Sequence, residues 1–194
     1  MTPPLILAST SPYRRELLGR LRIAFETVAP DVDETARANE SPIDAARRLS
    51  HAKAARVAAG RPEAIVIGSD QTATFDGRTI VGKPGSHARA RAQLGDASGR
   101  AMQFHTGLCV VRPNGAPALQ DCVTTTVRFR ILEADEIERY LRAEQPYDCA
   151  GSAKSEGLGI SLLESIDGPD PTALVGLPLI RLCAMLRACG VALP

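Results

Sequence analysis

Short apolar runs alternate with helix-start signals along the first part of the chain. Leu5 to Ala8 predicts a first strand, and Ala64-Ile65-Val66-Ile67 a buried one, short, β-branched and bounded by Arg61-Pro62 and Gly68. Ser11-Pro12 is an N-cap followed by a first-turn proline, and it predicts a helix to about Leu21 with Leu17, Leu18 and Leu21 as its buried stripe. Ile23 to Val28 fits a second strand. Asp31, Asp33 and Glu34 then stand together in a loop. Ser41-Pro42-Ile43-Asp44 repeats the helix start, for a helix running to Ala59 and stopped by Gly60.

Downstream, Thr72–Phe75 and Arg78–Val81 flank Asp76-Gly77, a hairpin signal. Ser86–Leu94 can form a helix. Ala101–Val111 and Ala118–Ile131 are long β-prone stretches joined through Asn114-Gly115. Glu133–Leu141 reads as a helix, Leu158–Glu164 as a strand and Pro178–Ala188 as a last helix stopped by Gly190. Helices and strands alternate early and antiparallel pairing enters in the middle. That order implies an α/β fold with a mixed sheet, read as a single domain over residues 1–194.

Composition narrows the class. A chain of 194 residues can bury one substantial core or two closely packed lobes. No apolar run reaches the roughly 18 residues of a membrane span. The opening Met1 to Ala8 lacks the basic segment of a signal peptide, so the cytoplasm is the expected compartment and no membrane partner is expected. A net charge of +1 argues against bulk nucleic-acid binding but leaves room for local basic clusters that bind a small polyanion. The five cysteines have neither zinc-knuckle nor redox spacing. Cys149 precedes a glycine-rich loop without a histidine near it in sequence.

The chemistry sits in polar segments beside glycines. Gly68-Ser69-Asp70-Gln71 follows the Ile65 strand and is expected to deliver a carboxylate at that strand's end, where open α/β sheets bind ligands; a plain surface turn is the alternative. Ser9, Arg14 and Arg15 surround the first strand-to-helix junction, where helix N–H groups and arginine attract phosphate. A capped helix with surface arginines would look the same. The junction matches neither the Walker A nor the Gly-x-Gly-x-x-Gly pattern. Lys53 lies within the second helix. Lys83 and Lys154 stand beside glycines, which let a ligand approach the backbone. Metal-assisted phosphate chemistry needs such a set: Glu34 and Asp70 for the metal and water, and Arg14, Lys53, Lys83 and Lys154 for the phosphates.

These segments together resemble the Maf family of nucleotide pyrophosphatases over almost the full length. The resemblance rests on Leu7 to Arg15, Asp33-Glu34-Thr35, Lys53, Gly68 to Gln71, Gly82-Lys83-Pro84, Thr106-Gly107, Cys149 to Ser152, Lys154 to Gly157 and Gly176-Leu177-Pro178. It implies an ITPase-like α/β fold around an elongated mixed sheet flanked by helices, with two lobes and a cleft between them. It also implies hydrolysis of nucleoside triphosphates to monophosphate and diphosphate with Mg²⁺ or Mn²⁺, and homodimers as a common assembly. Asp70 carries over as the base that activates water, as a metal ligand, or as both. Glu34 carries over as a metal ligand, and Ser9, Arg14, Lys53, Lys83 and Lys154 as phosphate contacts, with Ser152 a further hydrogen-bonding candidate.

Gln71 and Glu156 stand where the dTTP/UTP-cleaving branch has threonine and glutamine, so the chain resembles the 7-methyl-GTP branch, which favours an aromatic at Tyr13. The physics agrees. N7 methylation makes guanine cationic, Tyr13 can stack on a cation, and Glu156 can accept from the guanine N1–H and amino group; the resemblance implies that Tyr13, Gln71 and Glu156 face the base. Ala153 departs from that branch, which has an aromatic before the lysine, and implies a wider pocket. Two other readings accompany this one: a pyrophosphatase for dTTP, UTP or another noncanonical nucleotide, and a nucleotide-binding regulator of cell division.

Overall fold

Strand β1 (Leu5–Ala8) is buried at every position. Its side chains alternate between two cores, as the strand period of two requires. Leu5 and Leu7 join Ile65 and Ile67 with Leu17, Leu18, Leu182, Met185 and Leu186. Ile6 and Ala8 join Val66, Ala54 and Val57. A sheet apolar on both faces needs helices on both faces. Helices α1 (Pro12–Gly19) and α5 (Leu179–Ala188) supply one layer, and α2 (Pro42–Ala58) the other.

The computed structural model describes residues 3–194; Met1 and Thr2, on which part of the signal-peptide reading fell, lie outside the described residues. The remaining elements are β2 (Glu26–Val28), β3 (Ile65–Thr74), α3 (His87–Ala97), β4 (Ala101–Val111), β5 (Leu119–Phe129), α4 (Ala134–Glu144) and β6 (Leu163–Asp167). The six strands form one mixed sheet in the order β2-β1-β3-β4-β5-β6. β1 pairs in parallel with β2 and β3, and β5 pairs antiparallel with β6. Among the described residues no helix is long and apolar enough to cross a membrane. The chain divides into two compact units. The first comprises residues up to Gln71, His105–Val123 and Asp170–Pro194; the second comprises Thr72–Phe104 and Thr124–Pro169.

Three expectations on local structure are corrected. Gly68 to Gln71 is not a loop at a strand end but the interior of β3, which continues to Thr74. The reason is Gly68, where a Cβ would lie 2.2 Å from the Ser50 carbonyl oxygen and 2.9 Å from the Ala54 Cβ. Glycine here admits the backbone of α2 instead of breaking the strand. Gly107 on β4 does the same, a Cβ there meeting the Ala46 oxygen at 2.2 Å. The Asp76-Gly77 turn forms, but Arg78–Val81 adds only an isolated bridge, Val81 to Ala73. Asp76 instead folds the return segment onto itself, its Oδ1 accepting from the N–H groups of Arg78 and Thr79 at 2.8 and 2.7 Å. Leu158–Leu162 is a 3₁₀ turn, and the strand begins only at Leu163, where pairing with Phe129 starts.

Candidate active site

The strand order marks a switch point in the first unit. β1 runs on through α1 to β2 on one side, while β3 lies on its other side, and ligands collect where strand order switches in this way. The β1–β3 ladder ends at Leu7 with Ile67. Beyond it β1 turns away at Ser9, while β3 continues through Gly68, Ser69 and Asp70 without that neighbour.

Strand alternation aims Asp70 at the same face as Gly68, the face that α2 covers. On α2, Ala46, Ser50, Lys53, Ala54 and Val57 follow helical spacing along its buried side. Lys53 therefore sits in an apolar stripe, and the two strand glycines bring that stripe close. Its ammonium lies 2.6 Å from Asp70 Oδ1 and 2.8 Å from Glu34 Oε1. The Lys53 and Asp70 side chains are 6% and 9% exposed, whereas Glu34 is 59% exposed. One side of this ion triad is thus closed and the other open to solvent.

Glu34 comes from the loop before α2, which Arg48 fastens to the helix. Arg48 donates from Nε to Glu40 Oε1 at 2.5 Å and from Nη2 to Glu40 Oε2 at 2.7 Å and the Thr35 carbonyl at 3.1 Å. This bidentate pairing holds the Glu40 carboxyl down at about 2. Arg14, at the start of α1, completes the group. Burial lowers its pKa, and the nearby charges of Asp70 and Glu34 oppose that shift; an arginine stays protonated regardless. Its Nε donates to the Gly176 carbonyl at 2.8 Å. Ser9 is buried, and its hydroxyl oxygen accepts from the Ser11 N–H at 3.1 Å. Tyr13 is half-buried on the first turn of α1. Gln71 directs its amide nitrogen to Thr106 Oγ1 at 2.9 Å and to the Ala173 and Leu174 carbonyls at 3.0 Å each.

The second unit holds the other expected residues. Lys83 is exposed in the segment before α3. Lys154 pairs with Glu144 at 3.3 Å, and its backbone N–H donates to the Tyr140 hydroxyl at 3.0 Å. Glu144 also accepts from the Leu158 N–H at 2.8 Å and passes so close to Gly157 that a Cβ there would lie 2.8 Å from its Oε2. Glu156 is exposed. Ser152 is fully buried, and its hydroxyl donates to Gln93 Oε1 at 2.6 Å. Gln93 in turn donates from Nε2 to the Gly82 carbonyl at 2.9 Å. One amide on α3 therefore ties the Lys83 segment to the Lys154 loop. Burial and the neighbouring Asp148 push the Cys149 thiol up to about 12, so it is a thiol at neutral pH and poorly suited to nucleophilic attack.

Sequence reasoning missed Arg48, Glu40, Gln93 and Asp170. Asp170 is buried, and its Oδ1 accepts from the Thr172 N–H and hydroxyl at 3.0 and 2.7 Å. Its Oδ2 accepts from the Ile180 N–H at 2.7 Å, capping α5 from outside the helix. The local sequence carries no sign of this, since the cap lies ten residues from the N–H it satisfies.

Comparison with known proteins identifies the family. The model of a family described as Maf-like protein matches residues 4–189. A 7-methyl-GTP pyrophosphatase of Albidiferax ferrireducens is 60% identical over 187 residues, covering 96% of this chain and 94% of the relative. Proteins of the same name from Ralstonia nicotianae and Pseudomonas fluorescens are 58% and 52% identical; the matches cover 96% and 98% of this chain and 96% and 99% of those relatives. The names are those of the branch to which Tyr13, Gln71 and Glu156 pointed. The chain belongs to the Maf-like protein family.

Proposed function

We propose that this protein hydrolyses the α–β phosphoanhydride of 7-methyl-GTP, giving 7-methyl-GMP and diphosphate. The observation that carries the reading is the Asp70–Lys53–Glu34 triad, a buried carboxylate held by a lysine at the ligand end of the sheet. The names of the relatives supply the substrate.

Lys53 engages Oδ1 of Asp70 and so fixes the direction of Oδ2. Asp70 takes a proton from water as the water oxygen bonds to the α-phosphorus. The bond from that phosphorus to the bridging oxygen breaks, and diphosphate leaves with that oxygen. Arg14, held by Nε, keeps its terminal nitrogens for phosphate oxygens, and Lys83 and Lys154 neutralise further phosphate charge. Tyr13 stacks on the cationic base, and Glu156 accepts from its N1–H and amino group.

A divalent cation fits this donor set. Glu34 and Asp70 offer oxygen only, both brought to one ammonium, and Mg²⁺ is commonly held by one or two carboxylates together with substrate phosphates. When bound, the cation supplies charge neutralisation to the phosphates. A homodimer working in the cytoplasm completes the reading.

The test is parallel turnover of 7-methyl-GTP, GTP, dTTP and UTP with Mg²⁺ or Mn²⁺. The highest kcat/KM is expected for 7-methyl-GTP. A clear preference for dTTP or UTP overturns the base assignment, and nucleotide binding without diphosphate release overturns the enzyme.

A further inference from the structure

The Gly176-Leu177-Pro178 segment has entered so far only through the Gly176 carbonyl that accepts from Arg14, yet the turn before it also receives side chains beside Asp70. By alternation, Ser69 and Gln71 face away from Lys53. Both meet this turn. Gln71 donates to the Ala173 and Leu174 carbonyls at 3.0 Å, and Thr106 donates to the Ala173 carbonyl at 2.9 Å. Ser69 Oγ lies 2.9 Å from the Gly176 oxygen and 2.8 Å from the Gly107 oxygen. A hydroxyl has one proton and can serve one carbonyl fully. Arg14 Nε–H already satisfies Gly176 at 2.8 Å, which leaves the Ser69 proton for Gly107.

The turn is itself rigid. The Thr172 hydroxyl donates to Asp170 Oδ1 at 2.7 Å, accepts from the Leu179 N–H at 2.8 Å and lies 2.9 Å from the Leu177 carbonyl oxygen. Gly176 has φ +110°, which side chains rarely adopt, and a Cβ there would lie 3.3 Å from Arg14 Nε.

We propose that the Ala173–Gly176 turn is a template that sets Arg14 in register with Asp70, with Gly176 as the positioning residue acting through Arg14. The carbonyl grips the arginine by its inner nitrogen, so the guanidinium can turn only its outer edge to a phosphate. The same turn holds Gln71, the residue that follows Asp70. Base and phosphate ligand are thereby referred to one piece of backbone. The inference rests on the reading of Arg14 as a phosphate ligand.

A double-mutant cycle tests it. Gly176→Ala is expected to lower kcat/KM for 7-methyl-GTP about 10- to 100-fold, the loss typical of a misplaced binding group. In an Arg14→Ala background the same change should cost less than about twofold, because acting through Arg14 makes the two losses non-additive. Equal losses in both backgrounds overturn the proposal. Should Gly176→Ala fail to fold, Gly176→Asn, which tolerates positive φ better, takes its place in the cycle. A second readout is independent of turnover. In protein labelled with ¹⁵N-arginine, the Arg14 Nε–H resonance should be protected from exchange in the parent protein and exposed in the variant. An unprotected Arg14 Nε–H in the parent protein overturns the proposal, whatever the enzyme cleaves. Protection in a protein that cleaves no nucleotide counts against the proposed function and for the clamp.

Discussion

Replacing Lys53 by Met isolates the charge at the centre of the site. Methionine keeps the length and apolar stem that pack in the α2 stripe, and it removes only the ammonium. Lys53 and Asp70 are 6% and 9% exposed, so their pairing falls in the buried class, whereas Glu34 is 59% exposed. Stripping the partner from a buried charge costs about 3–5 kcal/mol, while the exposed Glu34 contact contributes only about 0–1 kcal/mol. In a domain of this size, about 2–4 °C of Tm per kcal/mol gives a fall of roughly 6–20 °C. The cause is the stranded Asp70 carboxylate, so Asp70→Asn should remove most of the penalty. The assay is thermal unfolding by circular dichroism at neutral pH for the parent, the two single variants and the double variant. A Lys53→Met protein as stable as the parent refutes the reasoning, as does an equal loss in the Asp70→Asn background.

The other outcomes follow from the supporting contacts. Gln93→Ala releases the hold on both the Gly82 and Ser152 segments and should lower kcat/KM about tenfold or more with the circular dichroism spectrum unchanged; unchanged turnover would count against its positioning role. Glu40 sits at about 2, below its ordinary value of 4.5, so its stabilisation is present above pH 4.5 and is lost as pH falls from there toward 2. Glu40→Gln should flatten that part of the profile of Tm against pH, and an unaltered acid limb would contradict the Arg48–Glu40 anchor.

Much of the first unit is legible in its sequence because local rules and tertiary demands coincide there. Ser11 and Ser41 cap their helices as read, accepting from the Arg14 and Asp44 N–H groups, and each is followed by proline at the first helical position. The site residues were legible through the family pattern more than through spacing. Lys53 looks like any helical lysine until Gly68 and Gly107 are seen to admit α2 against the sheet. Gly68 was misread for the same reason: a glycine after an apolar run reads as a stop, and only the facing helix shows that it is an approach. Leu158 to Leu162 was misread as strand because an apolar run says nothing of its partner; Leu158 and Ile160 stay 46% and 54% exposed, and pairing waits for Leu163. Gln93 and Asp170 act through neighbours distant in sequence, and no local pattern marks them.

Turnover of 7-methyl-GTP by Asp70→Asn tests the central claim most directly. Asparagine keeps the size of the side chain at the end of the Lys53 contact and cannot take the proton from water. With circular dichroism reporting an intact fold and Mg²⁺ at saturation, kcat should fall by about 10²–10⁴-fold, the usual contribution of a positioned base. Near-parental kcat from the folded variant would contradict the account.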